Sequence, residues 1–283
     1  MIRVRSTAAS VFLAAAASLL VAAGSGCRFI PRSGPVPQDL AEARRLCNAG
    51  LSAADQKDLM RAEGLLERAV KQCPTDIDAR QHYAEVLWKR GERMDAVKQI
   101  AEAMQIAPDD VGLCIDGGRM YMELGLLDDA DRLARQAVSG APRSAEAWRL
   151  HGQVSLARGK AEESLADFHR ALAIVPDDRA ILLETAEVYR RLDRPQRALA
   201  TLAILGETYG PNQTPADVLE MEGMAQEALG RRADAIESYR QAIAKGGASA
   251  GARLASLQQL PADGSPGSAA GSEPGTAAGV IRR

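Results

Sequence analysis

Three histidines, four cysteines and one serine set between glycines are the residues of this 283-residue chain whose types could carry chemistry. His82, His151 and His169 have no second histidine at a metal-binding helical spacing, so no metal site is expected from them. Gly247-Ala248-Ser249-Ala250-Gly251 has the form of a nucleophile elbow. An elbow needs a strand before the serine and a helix after it, whereas this stretch follows a helical pattern in a region rich in Gly, Ala and Ser. Chance is the better account of it. The chain has no Cys-x-x-Cys pair and no glycine-rich loop ending in Lys-Ser or Lys-Thr, the patterns for dithiol redox chemistry and for cradling phosphates. Asn212-Gln213-Thr214 has the form of a glycosylation acceptor and implies only a surface loop. No catalytic residue, cofactor, metal or small-molecule substrate is expected, and the chemistry left to explain is binding.

The elements that would position such residues follow from composition. Aromatics make up 4% of the chain while Ala and Leu dominate, which favours helices over pleated strands. Charged residues are 25% and hydrophobic residues 46%, enough for a sizeable core. Lys and Arg number 35 against 37 Asp and Glu, so no basic excess is available to neutralise phosphates and nucleic acid is not an expected partner.

Residues 1–27 form their own unit, with Arg3 and Arg5 ahead of an uncharged run from Ser10 to Ala23 and then Gly24, Ser25, Gly26 and Cys27. The run is shorter than the roughly 20 residues a spanning helix needs, so a signal peptide is the expected reading. Small residues leading into a cysteine resemble the lipobox of bacterial lipoproteins, which implies lipid attachment at Cys27. Gly24 departs from that pattern, which usually has an aliphatic residue three before the cysteine. Cleavage near Ala23 and an uncleaved anchor are the other readings, and all three export the protein. A periplasmic location with a lipid anchor on a bacterial membrane is therefore expected. Residues 28–38 carry Pro31, Pro35 and Pro37 among Gly and Ser and suit an extended tether. Residues 261–283 again collapse into Pro, Gly, Ser and Ala, a composition expected to remain disordered.

Between these flanks, Pro74, Pro108, Pro142 and Pro176 recur every 34 residues. The same register brings Ala62, Ala96, Ala130 and Ser164 into one column, Ala69, Ala103, Ala137 and Ala171 into a second, and Gly50, Ala84, Gly118 and Gly152 into a third. Small residues at fixed phases are what two close antiparallel helices require, because a larger substituent would hold the axes apart. Each proline stops a second helix, and Asp-Asp after Pro108 and Pro176 can cap the helix that follows.

The pattern resembles the tetratricopeptide repeat, most closely in the fourth unit through Trp148, Gly152, Phe168, Ala171 and Pro176. Ala186, Tyr189, Ala198 and Leu202 mark a fifth unit, and Gly223, Gly230, Ala235, Tyr239 and Ala242 a sixth, displaced by three residues at the 210–215 connection. The resemblance implies an all-α solenoid of about six helix-turn-helix repeats over residues 39–247, wound as a right-handed superhelix. Residues 248–260 would add a helix that shields the last repeat.

In this family the first helix of each pair lines a concave groove that holds extended or helical peptide segments. Trp88, Ile115, Arg119, Met122, Arg149, Leu156, Leu183 and Arg190 fall on the inward positions and are the expected groove. Packing between helices is the competing reading for Trp88 and the aliphatics. Members that capture a chaperone's C-terminal carboxylate use a clamp of Lys, Asn and Arg. The equivalent positions here include Cys47, Leu51, Asp78, His82, Arg149, Gln153, Ala180 and Glu184, so that role is not implied. Cys47 and Cys73 lie at the same end of the first unit, where either a bridge or two free thiols would fit, and Cys114 is expected as a buried thiol. The function expected is a scaffold or adaptor in the bacterial cell envelope that holds a protein or peptide partner, with a self-associating scaffold of an envelope assembly, secretion or export machine as the alternative.

Overall fold

The computed structural model describes residues 38–259, which leaves Cys27, its preceding segment, the tether to Pro37 and the residues from 260 onward outside the described part. Six antiparallel helix pairs follow one another, with a single helix after them. The first helices of the pairs are α1 (Gln38–Asp55), α3 (Ile77–Arg90), α5 (Val111–Glu123), α7 (Ala145–Ala157), α9 (Arg179–Arg191) and α11 (Ala216–Ala228). Their partners are α2 (Leu59–Gln72), α4 (Arg93–Ile106), α6 (Leu127–Gly140), α8 (Ala161–Ile174), α10 (Pro195–Tyr209) and α12 (Arg232–Ala244), and α13 (Ala250–Gln259) packs on α12. Each second helix also packs on the next first helix, the arrangement of a helical-repeat solenoid. None of the described helices is long and apolar enough to cross a membrane.

The first, fourth and sixth pairs close because a glycine faces a large side chain sixteen residues on, and in the second and fifth an alanine, Ala84 or Ala186, holds that position. A Cβ placed on Gly50, Gly152 or Gly223 would sit 2.7, 2.7 and 2.5 Å from the side chains of Leu66, Phe168 and Tyr239. The third pair departs from this. Ala134 stands at the partner position, and Leu150 from the next repeat reaches in until its Cδ2 is 2.7 Å from where a Cβ on Gly118 would lie.

Helix ends follow the same period. Asp76, Asp110, Ser144 and Asp178 cap α3, α5, α7 and α9, each accepting from a backbone N–H two or three residues on, at 2.9 to 3.3 Å. Each cap stabilises its helix by about 1 kcal/mol. In both Asp-Asp pairs the cap is the second aspartate. Every first helix ends in a left-handed residue: glycine at 91, 125, 159 and 230, but Lys57 (φ 63°) and Asp193 (φ 54°) at the other two turns. The inserted 210–215 loop is pinned by Lys245, whose ammonium donates to the carbonyls of Asn212 and Thr214 at 2.7 Å each.

Candidate binding groove

First helices of neighbouring repeats meet through side chains 35 residues apart, and the character of each contact differs. Gln81 on α3 donates to the Asp116 carboxylate on α5 at 2.5 Å. Arg149 on α7 clasps Glu184 on α9, Nε at 3.1 Å from both carboxylate oxygens and Nη2 at 2.5 Å from one, while Gln153 adds a bond at 2.7 Å. This partner raises the Arg149 pKa further, so the guanidinium stays charged. Between these polar rungs lies an apolar one, Ile115 with Leu150, both in the core shared by the third and fourth pairs. Leu183 and Met221 make the next apolar rung, shifted by the three-residue insertion and packed around one core between the fifth and sixth pairs.

These rungs decide which of the expected groove residues are available. Ile115 is 5% exposed and is a core residue, a correction that follows from the leucine opposite it in the next repeat. Arg149 is two-thirds buried and committed to Glu184 rather than free for a partner. Arg190 is exposed but bonded to Glu187 at 2.7 and 2.8 Å, and Arg191 shares the same carboxylate at 2.8 Å. Those cations hold the Glu187 carboxylate below its ordinary range.

Met122, Leu156 and Leu183 do come together. With Met221 they line a trough of about 530 Å³ fed by α5, α7, α9 and α11, with Glu184, Glu187 and Arg191 at its polar edge. Met221 and Glu187 escaped the sequence reading. The inserted loop moves the register of the sixth unit, and adding its three residues to the 35-residue rung spacing from Leu183 leads to Met221.

Trp88 and Arg119 belong to a second, smaller pocket of about 310 Å³ between α3 and α5, which Glu85, Lys89, Asp116 and Glu123 also line. The Trp88 ring is half-buried against the core of the second pair, and the Arg93 guanidinium lies 5.2 Å from its centroid. Trp88 therefore packs and faces the pocket at once. Arg119 is divided between Glu146 at 2.9 Å and Asp116 at 3.6 Å. Burial raises the Asp116 pKa, opposed by the bond from Gln81 and the charge of Arg119. His82 lies 3.7 Å from Glu85, raising its own pKa and lowering that of the glutamate.

Chemistry-bearing residues elsewhere serve packing. His151 Nδ1 is 2.6 Å from the buried Asp167 carboxylate, which Arg170 also reaches at 2.7 Å. The Trp148 indole donates to the Pro142 carbonyl at 2.9 Å, and Arg170 covers its ring at 4.8 Å. Ser249 donates to Glu220, and the same carboxylate accepts from the Ala250 N–H at 3.1 Å, so the Gly-Ala-Ser-Ala-Gly stretch is the start of α13. Glu227 accepts from the Tyr239 hydroxyl at 2.9 Å. Cys47, Cys73 and Cys114 are free thiols. Burial, followed by the charges of Asp76 and Asp78, pushes the Cys47 thiol up to about 11, which keeps it protonated and unreactive at neutral pH.

Tetratricopeptide-repeat family models match residues 115–179, 150–207 and 216–244. Among solved structures, PilW, described as a widely conserved type IV pilus biogenesis factor, superposes with a TM-score of 0.69 at 19% identity, covering 76% of this chain and 98% of its own. PilF of Pseudomonas aeruginosa gives 0.66 at 17% identity over 78% and 98%. YrrB, described as a TPR protein with an unusual peptide-binding site, gives 0.54 at 16% identity over 69% and 98%. Identities this low speak to the fold alone. Curated relatives include the protein O-mannosyl-transferase TMTC1 of Homo sapiens, 31% identical over 118 residues, and that of Mus musculus, 28% identical over 142. The matches cover 40% and 49% of this chain but span only 13% and 15% of those proteins' length. With the helix pairs and the matched segments following one 34-residue period on either side of the three-residue insertion at 210–215, the chain carries tetratricopeptide repeats over residues 115–207 and 216–244.

Proposed function

We propose that this protein is a non-catalytic adaptor that holds an apolar peptide segment in the trough between α5, α7, α9 and α11. The observation that carries this reading is the convergence of Met122, Leu156, Leu183 and Met221, from four successive first helices, on one solvent-open apolar surface. Methionine and leucine give such a surface plasticity, and rigid helices hold it in place at little entropic cost. The peptide-binding site in the description of YrrB is consistent with this use of the fold.

The binding reading is tested by selecting peptides from a displayed random library on the purified protein and repeating the selection on Leu156→Glu. Binders that the variant loses while its helical content stays unchanged support the trough, and a variant that keeps them removes it. For placement, we propose export through residues 1–27 and acylation of Cys27, supported by the small residues that precede the cysteine. Acyl chains would anchor the protein firmly enough to pellet with membranes, and Cys27→Ser should release it or block its processing. Wild-type protein found wholly in the soluble envelope fraction would end that reading. Self-association is favoured by a separate observation, the exposure of Met60 and Met94 at the same phase of α2 and α4. Light scattering across a concentration series, with and without Met60→Glu and Met94→Glu, separates the two.

A further inference from the structure

The trough and the Trp88 pocket meet on α5, where Met122 lines the first and its neighbour Glu123 the second. Their characters differ. The trough is apolar at its centre, whereas the pocket sets the carboxylates of Glu85, Asp116 and Glu123 beside the Trp88 ring. Arg119 is tied to Asp116 and Glu146, Glu85 has His82, and Lys89 is the remaining cation of the pocket. Glu123 is exposed, and among the described residues no hydrogen bond or ion pair engages its side chain. An occupant suited to both parts carries adjacent aliphatic side chains followed at once by cations, because a cation leaving the trough across α5 meets Glu123 first.

The chain contains such a segment. In the 24 residues from Leu260 onward, the bulky aliphatics are Leu260, Val280 and Ile281, and the cations are Arg282 and Arg283. We propose that Val280 and Ile281 seat among Met122, Leu156, Leu183 and Met221, with Arg282 and Arg283 turned towards Glu123, Asp116 and Glu85, so that the chain's own tail competes for the groove. This rests on the trough being a peptide-binding surface. The span suffices. Residues 260–279 separate α13 from Val280, 20 residues able to extend over about 66 Å. The path is short, since α13 packs on α12, α12 pairs with α11, α11 carries Met221, and packed helices lie about 10 Å apart. A linker of this length holds its end at an effective concentration in the millimolar range, so even a weak segment occupies the groove until a tighter partner displaces it.

The test uses the full chain in detergent, with the photoreactive residue p-benzoylphenylalanine in place of Ile281. Irradiation followed by mass spectrometry should map intramolecular crosslinks to tryptic peptides that carry Met122, Leu156, Leu183 or Met221. Adding R282E and R283E should lower the yield about tenfold, since like charges would then face each other across α5. An absence of crosslinks, crosslinks confined to other helices, or a yield indifferent to R282E and R283E overturns the proposal. Mixing isotopically heavy and light chains reports the other occupant. Crosslinks that join heavy to light chains, and none within one chain, also overturn it. The trough is judged separately on the R282E/R283E chain. If library peptides still bind there and Leu156→Glu removes them, the trough stands whatever the tail does.

Discussion

Arg149 was expected to face a partner, but its bonds to Glu184 predict that substituting it acts first on stability. The two side chains are 33% and 24% exposed, so the pair is screened less than a surface bridge, and its fork geometry is bidentate. Arg149→Ala leaves Glu184 with the Gln153 bond alone, and Glu184→Ala strands both donors; each should cost about 1 to 2 kcal/mol. The double variant should cost less than the sum, with a coupling of about 1 kcal/mol. Arg149→Glu should be worse than Arg149→Ala, because it sets a second carboxylate against Glu184. Converting the rung to the apolar kind already present at Ile115 and Leu150, through Arg149→Ile with Glu184→Leu, should fall within about 1 kcal/mol of wild type, since replacing a buried pair with packed hydrophobes is often neutral or better. Urea titrations followed by circular dichroism measure all five variants, and an unchanged slope confirms that stability alone has moved. Single-site costs that add to within about 0.3 kcal/mol would show that the rung couples nothing between the fourth and fifth repeats.

Three further predictions come from the repeat columns. Ser164 is fully buried with an unpaired hydroxyl where sister positions carry Ala62, Ala96 and Ala130, so Ser164→Ala should raise stability by about 1 kcal/mol, read from the urea midpoint. Lys57 and Asp193 hold the left-handed turn that glycine fills elsewhere, so Lys57→Gly and Asp193→Gly should each stabilise by up to about 1 kcal/mol. Gly159→Ala, which meets no atom within 4 Å and so tests backbone conformation alone, should lose a similar amount.

The repeat was legible because covalent spacing and close packing impose it. Gly50, Gly152 and Gly223 are small for a reason internal to their own pair, so a period of 34 residues was enough to place the first two, and adding the three inserted residues places the third. The groove was less legible because its exposure depends on the next repeat. Ile115 and Leu183 occupy one phase, yet Ile115 meets Leu150 and is covered, while Leu183 meets Met221 beside the trough. Arg149 and Arg190 read as free cations, since their carboxylate partners stand 35 residues on in one case and three residues back in the other. The left-handed column at 57, 91, 125, 159, 193 and 230 was present in the sequence too, hidden by the two members that are not glycine.

The methionines allow the central claim to be measured directly. Protein labelled with carbon-13 at the methionine methyls reports Met122 and Met221 in the trough and the exposed Met60 and Met94 on α2 and α4 in one spectrum. On addition of a library-selected peptide, the Met122 and Met221 signals should shift and saturate together, with Met60 and Met94 unmoved and no shift at any of the four in Leu156→Glu. Shifts at Met60 and Met94 with Met122 and Met221 unmoved would place binding on another face and contradict it.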